Sequence, residues 1–462
     1  YQALTMSVTA SYNTAIGYVA LNVNTTGVNN VAVGHNALQA NTIGYRNVAV
    51  GSHVLDANTT GFANTALGYQ ALTTSVTANY NTAVGYIALN QNTTGQYNVA
   101  VGNEALKSNT TGGDNTVVGS LALNTNTIGH RNTALGANSL RDNTTGVQNT
   151  AVGYRTLRAN ITGSYNVAVG DDALKANTTA SWNVAVGQNA LVTNTTGIQN
   201  VAVGHESLKM NTIASYNTAV GHKSLTSNTT GISNVALGYE SLLTNTIGVN
   251  NIAVGYKALR ANTTGIDNVG IGYESLKTNT IGQWNTALGS YTLQANTTGN
   301  FNVAVGYLAM ENNTIGARNT AIGFQSLEAN TTAGYNTAIG YNTLRVSTTG
   351  QYNIAVGHET LKSSTIGNNN TGIGFRSLYS STTGSSNTAV GYQALYTNTI
   401  GRYNVAIGDN ALKLNTTAQY NIAVGSQALL TNTTGQYNVA VGYQSMYNNS
   451  IGQYNSAFGS YA

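Results

Sequence analysis

The sequence has no cysteine and no proline, and charged residues make up only 7% of its 462 positions. Without cysteine there is neither a disulfide framework nor a thiolate metal site, which leaves the compartment open. The formal net charge of +4 comes from 18 basic and 14 acidic residues spread thinly. No run of Lys or Arg occurs, so nothing in the charge pattern supports binding to nucleic acid or an anionic membrane. No apolar stretch approaches the roughly 18 residues a membrane span needs, and no signal-peptide pattern is read, so membrane insertion is not expected. A disordered chain would be poor in apolar residues and rich in charge. Here hydrophobic residues reach 41%.

What the sequence has instead is a repeat. The pattern Asn-[Thr/Val]-Ala-[Val/Ile/Leu]-Gly opens at Asn13, Asn30 and Asn47 and recurs every 17 residues, without insertion or deletion, to Asn455. There are 27 such openings. Positions are numbered one to seventeen from the Asn; the unit from Asn30 to Arg46 reads NVAVGHNALQANTIGYR. Position one is always Asn and position five always Gly (Gly17, Gly34, Gly51 and onward). Position nine is Leu (Leu21, Leu38, Leu55), with Met310 and Met446 as the exceptions. Positions twelve to fifteen read Asn-Thr-Thr-Gly or Asn-Thr-Ile-Gly, with departures such as Ser364, Ser381, Ala180 and Ala333. Positions six, seven, ten, eleven, sixteen and seventeen vary and hold nearly all the charge and most of the Tyr.

Helical repeats are excluded by period, since each needs two helices and about 33 to 47 residues. Two Gly and several β-branched residues per unit also penalise helix. The short alternating segment NVAVG, bounded by turn residues, reads as a strand. The expected fold is therefore all-β: a single continuous parallel β-solenoid over residues 1–462, one unit per coil, with strands at positions two to four and eight to ten. Adjacent coils would lie about 4.8 Å apart, giving a rod of roughly 130 Å. One inserted residue would flip a strand's side chains, so the constant period is itself evidence for register. Columns of like residues follow, and the Asn, Gly and Leu columns read as scaffold, with stacked Asn amides bonding along the rod.

Strand alternation puts positions two and four on one side and position three on the other. Position four is always Val, Ile, Leu or Phe, so its side is expected to be buried. Position three is nearly always Ala, so its side is expected to lie against a close neighbour, either the opposite wall or another chain. Leu at position nine fills the interior. Such a thin core would gain from self-association, with three chains side by side as one arrangement.

The repeated VAVGxxALxxNTTGxxN resembles the head repeats of trimeric autotransporter adhesins, which carry a shorter NSVAIGxxSxA unit. It is closer still to the NTAIGY-type arrays of tail-fibre-like surface proteins, as at Asn13 to Leu21. The resemblance covers essentially the whole chain. It implies a left-handed parallel β-roll, a homotrimer, and an extracellular place on a cell or virion surface. The unit here is longer than the head repeat, so the turn around Asn-Thr-Thr-Gly differs. Neither end shows an atypical capping coil, which is expected either for a piece of a longer protein or for copies stacking end to end into a filament.

No constellation breaks the repeat in the way an active site would, so no enzyme, metal or cofactor is expected. The His residues (His35, His53, His130, His205, His222, His358) all occupy variable positions. Of these, His205 and His222 share a column one coil apart, without further ligands. Asp171, Asp172 and Asp409 do not form a carboxylate pair, and the Gly-rich segments precede no helix that would bind phosphate. Position seventeen carries a Tyr column that ends in Tyr403, Tyr420, Tyr437 and Tyr454. It reads either as rings stacking along the rod or as an aromatic strip for a glycan or a cell-surface receptor. Asn-Thr-Thr matches the glycosylation acceptor pattern at Asn24, Asn58, Asn92, Asn109 and Asn143, although repetition alone explains the matches. The leading function is a structural or adhesive fibre. Ice binding through the position-thirteen Thr column (Thr25, Thr42, Thr59) and a polysaccharide-active β-helix enzyme are the alternatives.

Overall fold

The computed structural model describes residues 2–462. The described residues form two compact units, divided between Ile232 and Ser233. Each is an all-β parallel solenoid. The first carries β1 (Thr14–Ile16) to β13 (Thr218–Val220), and the second β14 (Val235–Leu237) to β27 (Ser456–Phe458). Every strand has three residues, positions two to four of the repeat. Within each unit consecutive strands pair in parallel at a shift of one repeat, as in Val31↔Val48, Ala32↔Ala49 and Val33↔Val50, or Ile422↔Val439, Ala423↔Ala440 and Val424↔Val441. Column identity therefore holds coil after coil.

The strands are short because the backbone is turned on both sides. Gly at position five has φ between +123° and +142° in every coil, a region essentially closed to residues with a Cβ. A methyl added at Gly34 would also lie 2.1 Å from the carbonyl oxygen of Gly51. On the other side, position seventeen is left-handed, from Tyr12 at φ 59° to Tyr454 at φ 60°. No Val, Ile or Thr occupies that column, as expected where a branched Cβ would clash.

The second strand expected at positions eight to ten does not form. That stretch is a turn in which positions seven and nine are both left-handed, for example Asn36 at φ 57° and Leu38 at φ 51°. It still bonds coil to coil, with the Leu38 amide donating to Val54 at 3.0 Å and the Ala40 amide to Asp56 at 3.0 Å. The backbone is satisfied without β geometry.

The inside and outside of the strand are also the reverse of the expectation from hydrophobicity. Position three is buried (Ala32, Ala49, Ala185, Ala304), whereas position four faces outward, with Ile16 at 61% and Leu67 at 47% exposure. The cause is space. Opposite the position-three Ala stand the Leu at position nine and a small residue at position eight. A Cβ built on Gly270 would meet the Leu259 and Ser275 side chains at 3.2 Å. Leu21, Leu38 and Leu55 are fully buried and act as the one large apolar side chain per coil. Each such burial contributes about 1.5–3 kcal/mol. Among the described residues no helix is long and apolar enough to cross a membrane.

Candidate functional site: two inner amide columns and four outer ones

Besides Ala and Leu, the interior holds two columns of Asn. Position one (Asn30, Asn47) and position twelve (Asn24, Asn41) are fully buried. In the first column, the Asn30 side-chain nitrogen donates to the Gly44 carbonyl at 2.8 Å. Its oxygen accepts the backbone amide of Asn47, one coil on, at 3.0 Å. In the second column, the Asn41 nitrogen donates to the Asn24 side-chain oxygen at 2.8 Å and to the same Gly44 carbonyl at 3.0 Å. Both columns thus converge on the position-fifteen carbonyl, and the side-chain amides of each column bond from coil to coil.

This placement overturns the glycosylation reading. Asn24, Asn58, Asn92, Asn109 and Asn143 are all fully buried. Their amide nitrogens donate inside the coil, as Asn109 does to Asn92 at 2.8 Å and to Gly112 at 2.8 Å. A glycan on that nitrogen would remove a donor and need space the closed coil does not have.

The outward surface is built by the period-two alternation that buries positions one and three. Positions seventeen, two, four and six all point out, the middle two bearing Thr, Val, Ile or Leu. Aromatic rings flank them on both sides. At position seventeen, Tyr403, Tyr420, Tyr437 and Tyr454 stack in succession, with ring centroids 4.9–5.0 Å apart and planes within 7°. Upstream, the Arg318 guanidinium lies between Phe301 at 5.6 Å and Tyr335 at 5.3 Å, continuing that column as a cation–π layer.

A second aromatic column, at position six, escaped the sequence reading. Tyr307, Phe324, Tyr341, His358, Phe375 and Tyr392 stack without interruption at 4.9–5.6 Å. Where Ser290 breaks position six, Tyr291 from position seven bridges the gap edge-on between Tyr273 and Tyr307. The signal was present in the sequence as aromatic character, but it is divided among Tyr, Phe and His and so is invisible to a count of Tyr alone. In both columns each ring covers its neighbours' faces, so edges and hydroxyls are what solvent meets.

Charge is gathered on the turn rather than the strand face. Position seven supplies carboxylates and position ten the cations three residues on: Glu104–Lys107 at 3.0 Å, Glu206–Lys209 at 2.6 Å and Glu274–Lys277 at 2.9 Å. Glu359, only 8% exposed, takes the Arg376 guanidinium at 2.7 Å and the Lys362 ammonium. Burial pushes its pKa up, but the hydrogen bonds from Lys362 and Arg376 outweigh that and hold it below the ordinary carboxylate value.

The other residues singled out in the sequence stay apart. His205 and His222 stack at 5.3 Å, but among the described residues no group of three or more His, Asp or Glu is arranged to hold a metal. Asp171 carries no ion pair, whereas Asp172 pairs with Arg155 at 2.9 Å and Lys175 at 3.2 Å. The position-thirteen Thr hydroxyls are committed to the stack, as Thr25 donates to the Thr42 carbonyl at 3.0 Å and Thr42 to Thr59 at 3.1 Å.

No protein-family model matches the chain. A search of curated proteins gives no match either.

Proposed function

We propose that this chain is the repeat scaffold of an extracellular structural or adhesive fibre, displayed on a cell or virion surface. The observation that carries this reading is the separation of the coil into an inner set of near-constant columns and an outer set that varies. Constancy inside preserves stacking, while variation outside at positions six, seven, ten and seventeen is free to serve contact. The exposed Val, Ile and Leu at position four supply an apolar strip that favours association with further copies or with a surface. Association as a homotrimer, as the resemblance implies, or end to end as a filament would both use such a scaffold. A glycan or cell-surface receptor would meet the outer columns.

The test is to place Lys at three successive position-four sites, Val169, Val186 and Val203. Because these side chains point outward, circular dichroism is expected to keep its β signature. Sedimentation is expected to show loss of self-association, or adhesion assays loss of surface binding. A native chain that sediments as a compact monomer and binds no surface would contradict the proposal. Ice binding is the weaker reading, because the Thr column on which it rests donates its hydroxyl protons into the stack. Thermal hysteresis in the purified chain would revive it.

A further inference from the structure

The tyrosine stack carries a chemistry that the fibre reading does not require. We infer that Tyr403, Tyr420, Tyr437 and Tyr454 form a site of oxidative cross-linking, in which neighbouring rings couple to dityrosine and tie adjacent coils covalently. The chain has no cysteine, so thiol oxidation is closed to it and tyrosine is the residue through which it can form such a bond. Three conditions for coupling meet here. All four residues are phenols at successive steps of one column. All are exposed to a dissolved oxidant, at 42–74%. Neighbouring rings are already held at 4.9–5.0 Å and nearly parallel. Holding reactants side by side replaces a bimolecular encounter with an intramolecular one.

The oxidant is a one-electron oxidant of the peroxidase class working with hydrogen peroxide. Each of two tyrosines gives up one electron and its phenolic proton, leaving two phenoxyl radicals. Hydrogen peroxide takes up the two electrons and two protons to become two waters. The radicals join through one ring carbon ortho to each oxygen. The two ring hydrogens at those carbons then move to the oxygens, restoring both phenols. The net change is one carbon–carbon bond gained and two hydrogen atoms lost.

The molecule contains its own control. In the position-six stack of the same unit, Tyr341 and Tyr392 are comparably exposed, but their stacked neighbours are Phe324, His358 and Phe375. A radical formed on either of these two has no stacked phenol with which to couple.

The experiment treats the full chain, at high dilution, with a haem peroxidase and limiting hydrogen peroxide. Dityrosine fluorescence is followed and tryptic peptides are mapped by mass spectrometry. Cleavage after Arg402 and Lys413 separates residues 403–413 from 414–462. The expected result is these two peptides joined and lighter by two hydrogen atoms, with Tyr341 and Tyr392 unlinked. Tyr420→Phe keeps a ring in the stack and so preserves the fold. It should abolish the link to Tyr403 while leaving that between Tyr437 and Tyr454. Links spread evenly over all exposed tyrosines, links only between chains, or no dityrosine would each overturn the inference. None of these outcomes bears on whether the chain serves as a fibre.

Discussion

The two inner Asn columns look alike in the sequence and differ in tolerance. Position one is Asn in every coil, whereas position twelve becomes Ser at Ser75, Ser347, Ser364 and Ser381. Both are buried and both donate to the position-fifteen carbonyl. The difference lies in what each oxygen accepts. At position one it takes a backbone amide of the next coil, as Asn149 takes that of Asn166 at 3.0 Å. At position twelve it takes the next side chain, as Asn143 takes Asn160 at 2.7 Å, while Asn449 in the last coil takes the Gly452 amide at 2.9 Å instead. Losing a position-one oxygen orphans a buried main-chain donor. Losing a position-twelve side chain orphans only side-chain atoms, such as the Asn58 and Asn330 oxygens and the four serine hydroxyls. A side chain that also serves the backbone cannot be exchanged cheaply.

The largest effect that would break this picture falls on neither Asn column but on the turn that feeds them. Gly170→Ala would force an alanine to φ +128° and set its Cβ 2.7 Å from the Gly187 carbonyl. A loss of about 3 kcal/mol is expected in local stability, read as early loss of amide protection in the neighbouring coils. Asn149→Ser comes next. It leaves the Asn166 amide and the Gly163 carbonyl short of their partners, and about 2–3 kcal/mol should be lost in denaturant titration. Asn143→Ser should cost about 1 kcal/mol, since no backbone amide depends on it. Equal losses at the two positions would remove the distinction.

Smaller effects sharpen it. Ser75→Asn should stabilise by about 1 kcal/mol, by giving the Asn58 oxygen a donor and the Ala78 carbonyl a second one. Asn177 beside Ala180 shows that the pair fits, with its nitrogen 3.0 Å from the Ala180 carbonyl. On the outer turn, Glu359 has its pKa depressed in the folded state, so its contribution is present above the ordinary carboxylate pKa and fades as pH falls through the folded value. Glu359→Gln should lower the thermal midpoint slightly at neutral pH, by an amount worth about 1 kcal/mol or less. The gap to the parent chain should close on acidification below the carboxylate range.

Much of this was legible in the sequence. The period, the parallel register, the strand at positions two to four and the scaffold role of the Asn, Gly and Leu columns follow from an unbroken repeat and from φ and side-chain chemistry. Two readings of the fold failed for physical reasons. Leu at position nine gives no sign of a left-handed backbone, because αL is usually marked by Gly or Asn, so a strand was expected where Leu38 makes a turn. Hydrophobicity put Val50 and Leu67 inside, but a coil this thin holds small residues at position three, nearly always Ala with Val117 the one larger exception among the described coils, and the larger side chains of position four go out. At the surface, position seventeen gave its ring stack away through repeated Tyr. The position-six stack needed coordinates because its rings change type from Tyr341 to His358 to Phe375.

Hydrogen exchange resolved to single amides tests the central claim most directly, that the position-one Asn holds the coils together through the backbone. In Asn149→Ser the Asn166 amide should lose its protection, while in Asn143→Ser it should remain as protected as in the parent chain. Unchanged protection of Asn166 in the first variant, or equal loss in both, would contradict the account.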